Sequence, residues 1–247
     1  MDISIIIIPV LLLIVGFLYA SVGHGGASGY IAVLSLFGIA ASTYKPVVLI
    51  LNIIIASIAF IHFYKAGYLK WKLCWPFLIT SIPFAFIGSR FILHDNIHNL
   101  LLGLALIFPI VRLSGLMPLK KEPVLKEIPL VWALLIGVIL GFAAGLLNIG
   151  GGIFLSPVLI LFSWATAKES AAAASLFIIC NSAAGLLAAG LPGISAFNTV
   201  SYLWLAAAIM GGIMGAYLGS NKFKQSTVRY VLASVLTIAS IKLIFFT

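Results

Sequence analysis

The chain contains ten apolar blocks, most of them about 15 to 20 residues long, separated by short polar stretches. An α-helix needs ~20 apolar residues to cross a bilayer core of about 30 Å. Lipid offers no hydrogen-bond partners, so we expect each block to be a helix, which satisfies its own backbone. The blocks are Ile3–Ala20, Ala27–Ala41, Pro46–Phe63, Leu73–Phe91, Ile97–Val111, Ile128–Leu147, Ile153–Ala167, Ser170–Ala189, Val200–Leu218 and Val228–Phe246.

The composition excludes a soluble domain. Hydrophobic residues make up 63% of the chain and charged residues 8%, against roughly 45–50% and about 25% in soluble proteins. The net charge of +9 is typical of basic cytoplasmic loops in a membrane protein. No basic cluster is interleaved with aromatic residues, so we expect no nucleic-acid partner. Cys74 and Cys180 lie in apolar segments without metal or disulfide spacing and are interpreted as packing residues.

One polar stretch, Arg112–Glu127, divides the ten segments into two sets of five. We interpret residues 1–113 as a first transmembrane repeat, 114–127 as a cytoplasmic linker and 128–247 as a second transmembrane repeat. Short motifs recur in the same order in both halves, which indicates a duplication. The matched pairs are Gly25-Gly26 with Gly151-Gly152, Asn52 with Asn181, and AFIGS (Ala85–Ser89) with AYLGS (Ala216–Ser220). In this register His24 is matched by Gly150.

The basic residues are distributed unequally between the two sides of the membrane. With the segments alternating in direction, 11 of the 14 fall on the side away from the N-terminus: Lys65, Lys70, Lys72, Arg112, Lys120, Lys121, Lys126, Lys168, Lys222, Lys224 and Arg229. The positive-inside rule assigns that side to the cytoplasm and both termini to the outside. Because each half has an odd number of segments, the two halves are expected to be inverted relative to each other.

The second and seventh segments are short for a membrane span, at about 15 residues. We therefore favour broken or re-entrant helices at the glycine motifs, entering from opposite faces. The predicted fold class is all-α: a polytopic membrane protein with two inverted repeats of about five hydrophobic segments each.

Two glycine-rich breaks, VGHGGASG and LLNIGGGIF, precede these short segments. Glycine frees the backbone from helical geometry, and the helix that restarts after it presents unpaired N–H groups and a partial positive charge. Such an end binds an anion without a buried Lys or Arg. The alternative is that the glycines only allow close helix packing. Substrate-binding candidates here are Gly25, Gly26, Gly150, Gly151 and Gly152.

Polar side chains near the breaks are further candidates. Asn52 and Asn181 lie in apolar segments, so each amide needs a partner, either a substrate or another helix. Ser175 and Ser182 flank Asn181, and Asn148 before the second break is a helix cap or a ligand contact.

His24 is the only titratable residue in either glycine motif. It is a candidate for anion binding and for proton coupling; the alternative is a neutral ring bonded to a carbonyl. Lys45, Arg90, Lys168 and Glu169 are interpreted as interface anchors. We find no catalytic, metal or cofactor motif, which argues against an enzyme.

The chain resembles the sulfite exporter TauE/SafE family, also called the toluene sulfonate uptake permeases. VGHGGASGYIAVLSLFGIA, KPVVLILNIIIASIAFIHFYKAGYLKW and PFLITSIPFAFIGS resemble its first repeat, and GLLNIGGGIFLSPVLILF and AAAASLFIICNSAAGLLAAG its second. The resemblance implies a secondary transporter of the bacterial inner membrane for small sulfur-containing anions such as sulfite or sulfonates. Its partners would be the solute and the lipid bilayer, with a homo-oligomer possible. A membrane assembly factor or scaffold, and a lipid-acting enzyme, are the competing interpretations.

Overall fold

The computed structural model describes residues 4–39, 41–91, 93–114, 125–190 and 199–224, with scattered positions between 226 and 245. Over these residues the regular structure is helical, which confirms the all-α class. The helices are α1 (Ser4–Ser21), α2 (Ala27–Leu36), α3 (Ala41–Lys65), α4 (Trp71–Ser89), α5 (Asp95–Leu113), α6 (Leu130–Leu147), α7 (Gly152–Leu161), α8 (Ala167–Ala189) and α9 (Thr199–Asn221).

These helices correspond in order to the first nine apolar segments. The main difference is that α2 and α7 end several residues before their segments do. Each is followed within two residues by a left-handed residue, Gly38 at φ 68° and Ser163 at φ 57°, which stops the helix. The tenth segment lies mostly outside the described residues, as does most of the predicted linker.

Five helices, α3, α4, α6, α8 and α9, are long and apolar enough to cross a membrane. The outward faces of these helices carry large apolar side chains, among them Ile79, Ile139 and Met214. Such faces suit lipid and would be unfavourable in water. By contrast, α2 and α7 have 10 residues each, about 15 Å of helix, which is half the thickness of a bilayer core.

The pairing of α1 with α9 depends on glycine. Gly211, Gly215 and Gly219 recur every four residues along one face of α9, where a side chain would overlap α1. The backbone oxygens that they approach belong to Leu13, Phe17 and Ser21, respectively. Helices in lipid gain little from hydrophobic burial against one another, so close backbone approach supplies much of the attraction.

The pairing of α4 with α6 follows the same pattern. Gly137, Gly141 and Gly145 recur every four residues along α6, and a side chain on any of them would overlap α4. As a result, α1 from the first half of the chain packs on α9 from the second, and α6 from the second half packs on α4 from the first. Between these pairs, α3 packs against α8. The two halves are therefore interlocked.

We expect Gly215→Val to destabilise the protein, because the added side chain would overlap the carbonyl oxygen of Phe17. Overpacking of this kind costs about 1–3 kcal/mol, so the thermal unfolding midpoint in detergent should fall by about 2–12 °C. Ala206→Val, on the exposed face of the same helix, is the matched control and should change the midpoint little. Equal midpoints for the two variants would show that the glycine face does not hold α9 to α1.

Candidate functional site

The first glycine break separates α1 from α2. The chain leaves α1 through a bond from the His24 N–H to the carbonyl oxygen of Tyr19, 2.9 Å. Gly23 and Gly26 have φ of 80° and 99°, a left-handed conformation that residues with a side chain rarely adopt. Gly26 is the N-cap of α2. Because it has no side chain, it cannot accept a hydrogen bond from the first N–H groups of that helix.

The second break, between α6 and α7, has the same backbone pattern. The Ile149 N–H donates to the carbonyl oxygen of Ala144, 3.2 Å. Gly150 and Gly151 have φ of 69° and 74°, and Gly151 is the N-cap of α7. Asn148, at φ 53°, is the left-handed C-cap of α6, so the cap that was one of its two predicted roles is confirmed.

This backbone pattern changes the register between the two motifs by one residue. His24 and Ile149 make the same bond to the end of the preceding helix, five residues back. His24 therefore corresponds to Ile149, and Gly150 corresponds to Gly25. The match of His24 with Gly150 was wrong, because the three consecutive glycines of the second motif allow two alignments.

Asn52 joins the two breaks. Its Oδ1 accepts from the Ala27 N–H at the start of α2, 3.1 Å. Its Nδ2 donates to the Ser182 hydroxyl of α8 at 2.8 Å and to the carbonyl oxygen of Ile149 in the second break at 3.4 Å. The side chain is buried, with 1% of its surface exposed, so these bonds form away from solvent.

The glycines on either side of Asn52 leave no room for side chains. A Cβ on Gly25 would overlap the Asn52 Oδ1, and one on Gly150 would lie 2.7 Å from its Nδ2 and 2.5 Å from the Ser182 Oγ. Both distances are shorter than ordinary non-bonded contacts. Gly25, Gly150, Asn52 and Ser182 therefore form one tightly packed cluster.

Helix α8 lines both breaks along one face. A side chain on Gly23 would overlap the Ala171 backbone, and one on Gly152 would meet Ile178. Ser175 lies between these positions at helical spacing, is fully buried, and donates to the carbonyl oxygen of Ala172, 2.8 Å. Its two oxygen lone pairs remain available as acceptors.

Asn181, the residue predicted to correspond to Asn52 in the second half, makes different hydrogen bonds. Its Nδ2 donates to the Phe177 carbonyl oxygen within α8, 2.8 Å. Its buried Oδ1 has no hydrogen-bond partner in the part of the chain that the structure describes. The two asparagines thus differ: Asn52 uses both ends of its amide across helices, and Asn181 has a spare acceptor.

His24 lies between the two breaks. Its Nδ1 is 2.9 Å from the carbonyl oxygen of Val22, its ring packs edge-on against Tyr19, and it also interacts with the backbone of Gly152. The ring is buried, with 5% of its surface exposed. His24 therefore contacts the start of the short helix from the other half of the chain.

Two side chains at the site were missed by the sequence analysis. His98, on α5, is buried with its Nε2 3.1 Å from the carbonyl oxygen of Leu147, the last residue of α6. It was overlooked because it lies in the first turn of the fifth segment, next to Asp95 and Asn96, where polar residues are common. Tyr30 is buried with its hydroxyl beside Gly26; a tyrosine four residues after a glycine break was the available signal.

The charges at the start of α8 form a separate cluster. Lys168 donates to the Tyr68 hydroxyl at 3.0 Å and to the carbonyl oxygen of Ser220 at 3.1 Å. Glu169 pairs with Lys70 at the start of α4. These contacts tie three helix ends together and give the charges a structural role. Within the described ranges, no cluster of His, Cys, Asp and Glu side chains could hold a metal ion.

Known proteins resemble this chain over its whole length. A "Probable membrane transporter protein y4hK" of Sinorhizobium fredii is 32% identical, with 99% of this chain and 100% of the relative covered. The "Probable membrane transporter protein YjnA" of Bacillus subtilis is 27% identical over the same shares of the two chains. No solved structure gives a significant match.

The sequence profile named "Sulfite exporter TauE/SafE" matches residues 8–243. A relative above 30% identity supports this match, and five helices are able to cross a bilayer. These findings show a multi-pass membrane protein and confirm the family that its motifs predicted. The chain belongs to the sulfite exporter TauE/SafE family of membrane transporters.

Proposed function

We propose that this protein is a secondary transporter of a small oxoanion, sulfur-containing by its family, across the bacterial inner membrane. The observation that carries the proposal is the junction at Asn52, where two short helices from different halves of the chain begin beside one another. Membership of a transporter family favours transport over a membrane enzyme or a scaffold.

The depth of this junction supports a transport site. At 1.5 Å per residue, Asn52 lies about 16 Å along α3 from its first residue, Ala41, and about 20 Å from its last, Lys65. If α3 crosses the bilayer, Asn52 is close to the midplane. Substrate sites of secondary transporters commonly lie there, at the ends of broken helices.

The electrostatics of the junction favour an anion. The N-termini of α2 and α7 each carry about half a positive charge from aligned peptide dipoles. A full Lys or Arg charge at the membrane centre costs ~2.5–3.5 kcal/mol on insertion scales, and two helix ends avoid that cost. In this proposal the solute's oxygens are bound by backbone N–H groups in the first turns of α2 and α7, beyond the Ala27 N–H, which is already bonded to Asn52. His24, in contact with both breaks, assists and carries the coupled proton.

The remaining candidates have supporting roles in this proposal. Asn52 and Ser182 hold the two breaks together, Gly25 and Gly150 admit Asn52, and Gly152 begins α7. Ser175 and Asn181 line the site from α8, and Asn148 ends α6.

The proposed architecture is two inverted repeats, residues 1–113 and 128–247, joined by a cytoplasmic linker at 114–127. Alternating access would then be a rocking of the two repeats' elements about the junction. Helix α1 packs on α9 of the other half, and α6 packs on α4 of the other half. This arrangement supports a shared motion, because each half carries one helix that belongs to the other.

Transport should be lost in Gly25→Ala. The added methyl group would overlap the Asn52 side chain and separate the two breaks, without hindering membrane insertion. The measurement is uptake or efflux of radiolabelled sulfite and of sulfoacetate in proteoliposomes. Ala206→Val adds methyl groups on the exposed face of α9 and should retain transport. Wild-type protein that carries neutral or cationic solutes and ignores every sulfur oxoanion would contradict the proposed function.

Asn52→Leu should lower stability by several kcal/mol. The change leaves the Ala27 N–H and the Ser182 hydroxyl buried without their present partner, at about 1–3 kcal/mol each. The thermal unfolding midpoint in detergent measures the loss. Asn221→Leu is the control, because Asn221 is exposed at the end of α9. A midpoint for Asn52→Leu equal to that of the control would mean that Asn52 does not join the breaks.

The orientation is tested by cysteine labelling of intact cells, with Cys74 and Cys180 replaced by serine. A membrane-impermeant maleimide should label Asn96→Cys, in the first turn of α5, without permeabilisation. Lys120→Cys, in the proposed cytoplasmic linker, should be labelled only after permeabilisation. The reverse pattern would invert the topology and leave the transport proposal unaffected.

A further inference from the structure

Tyr30 presents a buried hydroxyl that has no protein partner among the residues that the structure describes. Only 1% of the residue is exposed. Buried hydroxyl groups in native proteins nearly always have a hydrogen-bond partner, and in the bilayer core there is no bulk solvent to provide one. An unpaired hydroxyl at such a place indicates a group that binds something absent from the protein chain itself.

The position of this hydroxyl follows from helix geometry. Side chains on an α-helix lean towards its N-terminus, so a residue covers the position about four residues before it. Tyr30 therefore covers Gly26, the N-cap of α2. A Cβ on Gly26 would lie 2.8 Å from the Tyr30 hydroxyl oxygen and 2.7 Å from its Cζ. The hydroxyl is thus beside the N-terminus that the proposed function assigns to the anion.

Neighbouring hydroxyls differ from that of Tyr30 because they are already paired. The Tyr19 hydroxyl and the Ser28 Oγ are 2.9 Å apart and bond to each other. Both stabilise the first break from within. Tyr30 is the hydroxyl near the start of α2 that has no hydrogen-bond partner in the described part of the chain.

In the second break, the position equivalent to Tyr30 carries no hydroxyl. Four residues after Gly151, where Tyr30 would have its counterpart, α7 has Leu155, which is buried in an apolar cluster. The two short helices therefore begin with similar backbone geometry and different side-chain chemistry. One start has a hydroxyl donor beside it and the other has an aliphatic side chain.

We propose that the Tyr30 hydroxyl donates a hydrogen bond to an oxygen of the transported anion at the start of α2. This contact makes the first break the stronger of the two binding ends, and the second break binds through its backbone. The proposal rests on the proposed function, since it names a side chain of the same site. A packing role alone would need the ring of Tyr30, which fills the space above Gly26, and would not need its oxygen.

The test is Tyr30→Phe, which removes the oxygen and keeps the ring. The unfolding midpoint of the solute-free protein should stay the same or rise, because no protein hydrogen bond is lost. The KM for sulfite or sulfoacetate in proteoliposomes should rise about 10- to 100-fold, the range for one hydrogen bond to a charged group. The stabilisation of the detergent-solubilised protein by the same anions should fall correspondingly. Tyr64→Phe, at an exposed position on α3, should leave all three values unchanged.

The outcomes separate the two proposals. If the wild-type protein binds these anions and Tyr30→Phe binds them equally well, the role of Tyr30 is overturned and the proposed function stands. A lower midpoint for solute-free Tyr30→Phe would also overturn it, because the hydroxyl would then have a structural partner. If no sulfur oxoanion stabilises the wild-type protein or is transported by it, the proposed function fails and the role of Tyr30 fails with it.

Discussion

The amide of Asn52 is the interaction on which the centre of this structure depends. Interrupting a helix inside a bilayer exposes backbone N–H and C=O groups where there is no water to bond them. Asn52 supplies both an acceptor and a donor, and it uses them on opposite breaks: the Ala27 N–H in one and the Ile149 carbonyl in the other. Ser182 completes the junction from α8. One side chain therefore stabilises two helix interruptions that would otherwise be costly.

The glycines make that junction possible and also hold the surrounding helices. At Gly25 and Gly150 they admit the Asn52 side chain, and at Gly26 and Gly151 they adopt left-handed backbone conformations. Along α6 and α9 they allow backbone contact with helices from the other half. In lipid, apolar side chains gain little free energy by packing together. This close backbone contact therefore supplies attraction that the hydrophobic effect supplies in water. The same residue type thus serves the helix ends and the scaffold around them.

Much of the fold could be predicted from the sequence because hydropathy and length limit a membrane protein to a few structures. The order of the first nine helices follows directly from the apolar blocks. The early ends of α2 and α7 were missed because apolar residues continue past the left-handed Gly38 and Ser163. The packing of α1 on α9 and of α6 on α4 could not be predicted, since a row of glycines on one helix does not identify the helix that packs against it.

The site was predicted less completely. The glycine breaks and Asn52 were visible because each interrupts an otherwise apolar, helical pattern. The bond from Asn52 to Ser182 joins residues that are 130 positions apart, a distance that no local pattern encodes. His98 and Tyr30 were missed for different reasons: His98 resembles a polar residue at a helix end, and Tyr30 resembles an ordinary core aromatic.

The most direct test of the account is to locate a bound anion by anomalous diffraction from crystals grown with selenite or bromomethanesulfonate. The account predicts a selenium or bromine peak between the first turns of α2 and α7, with anion oxygens about 3 Å from their backbone N–H groups. A peak at the Lys168 cluster or at the protein surface, with the junction at Asn52 empty, would contradict it.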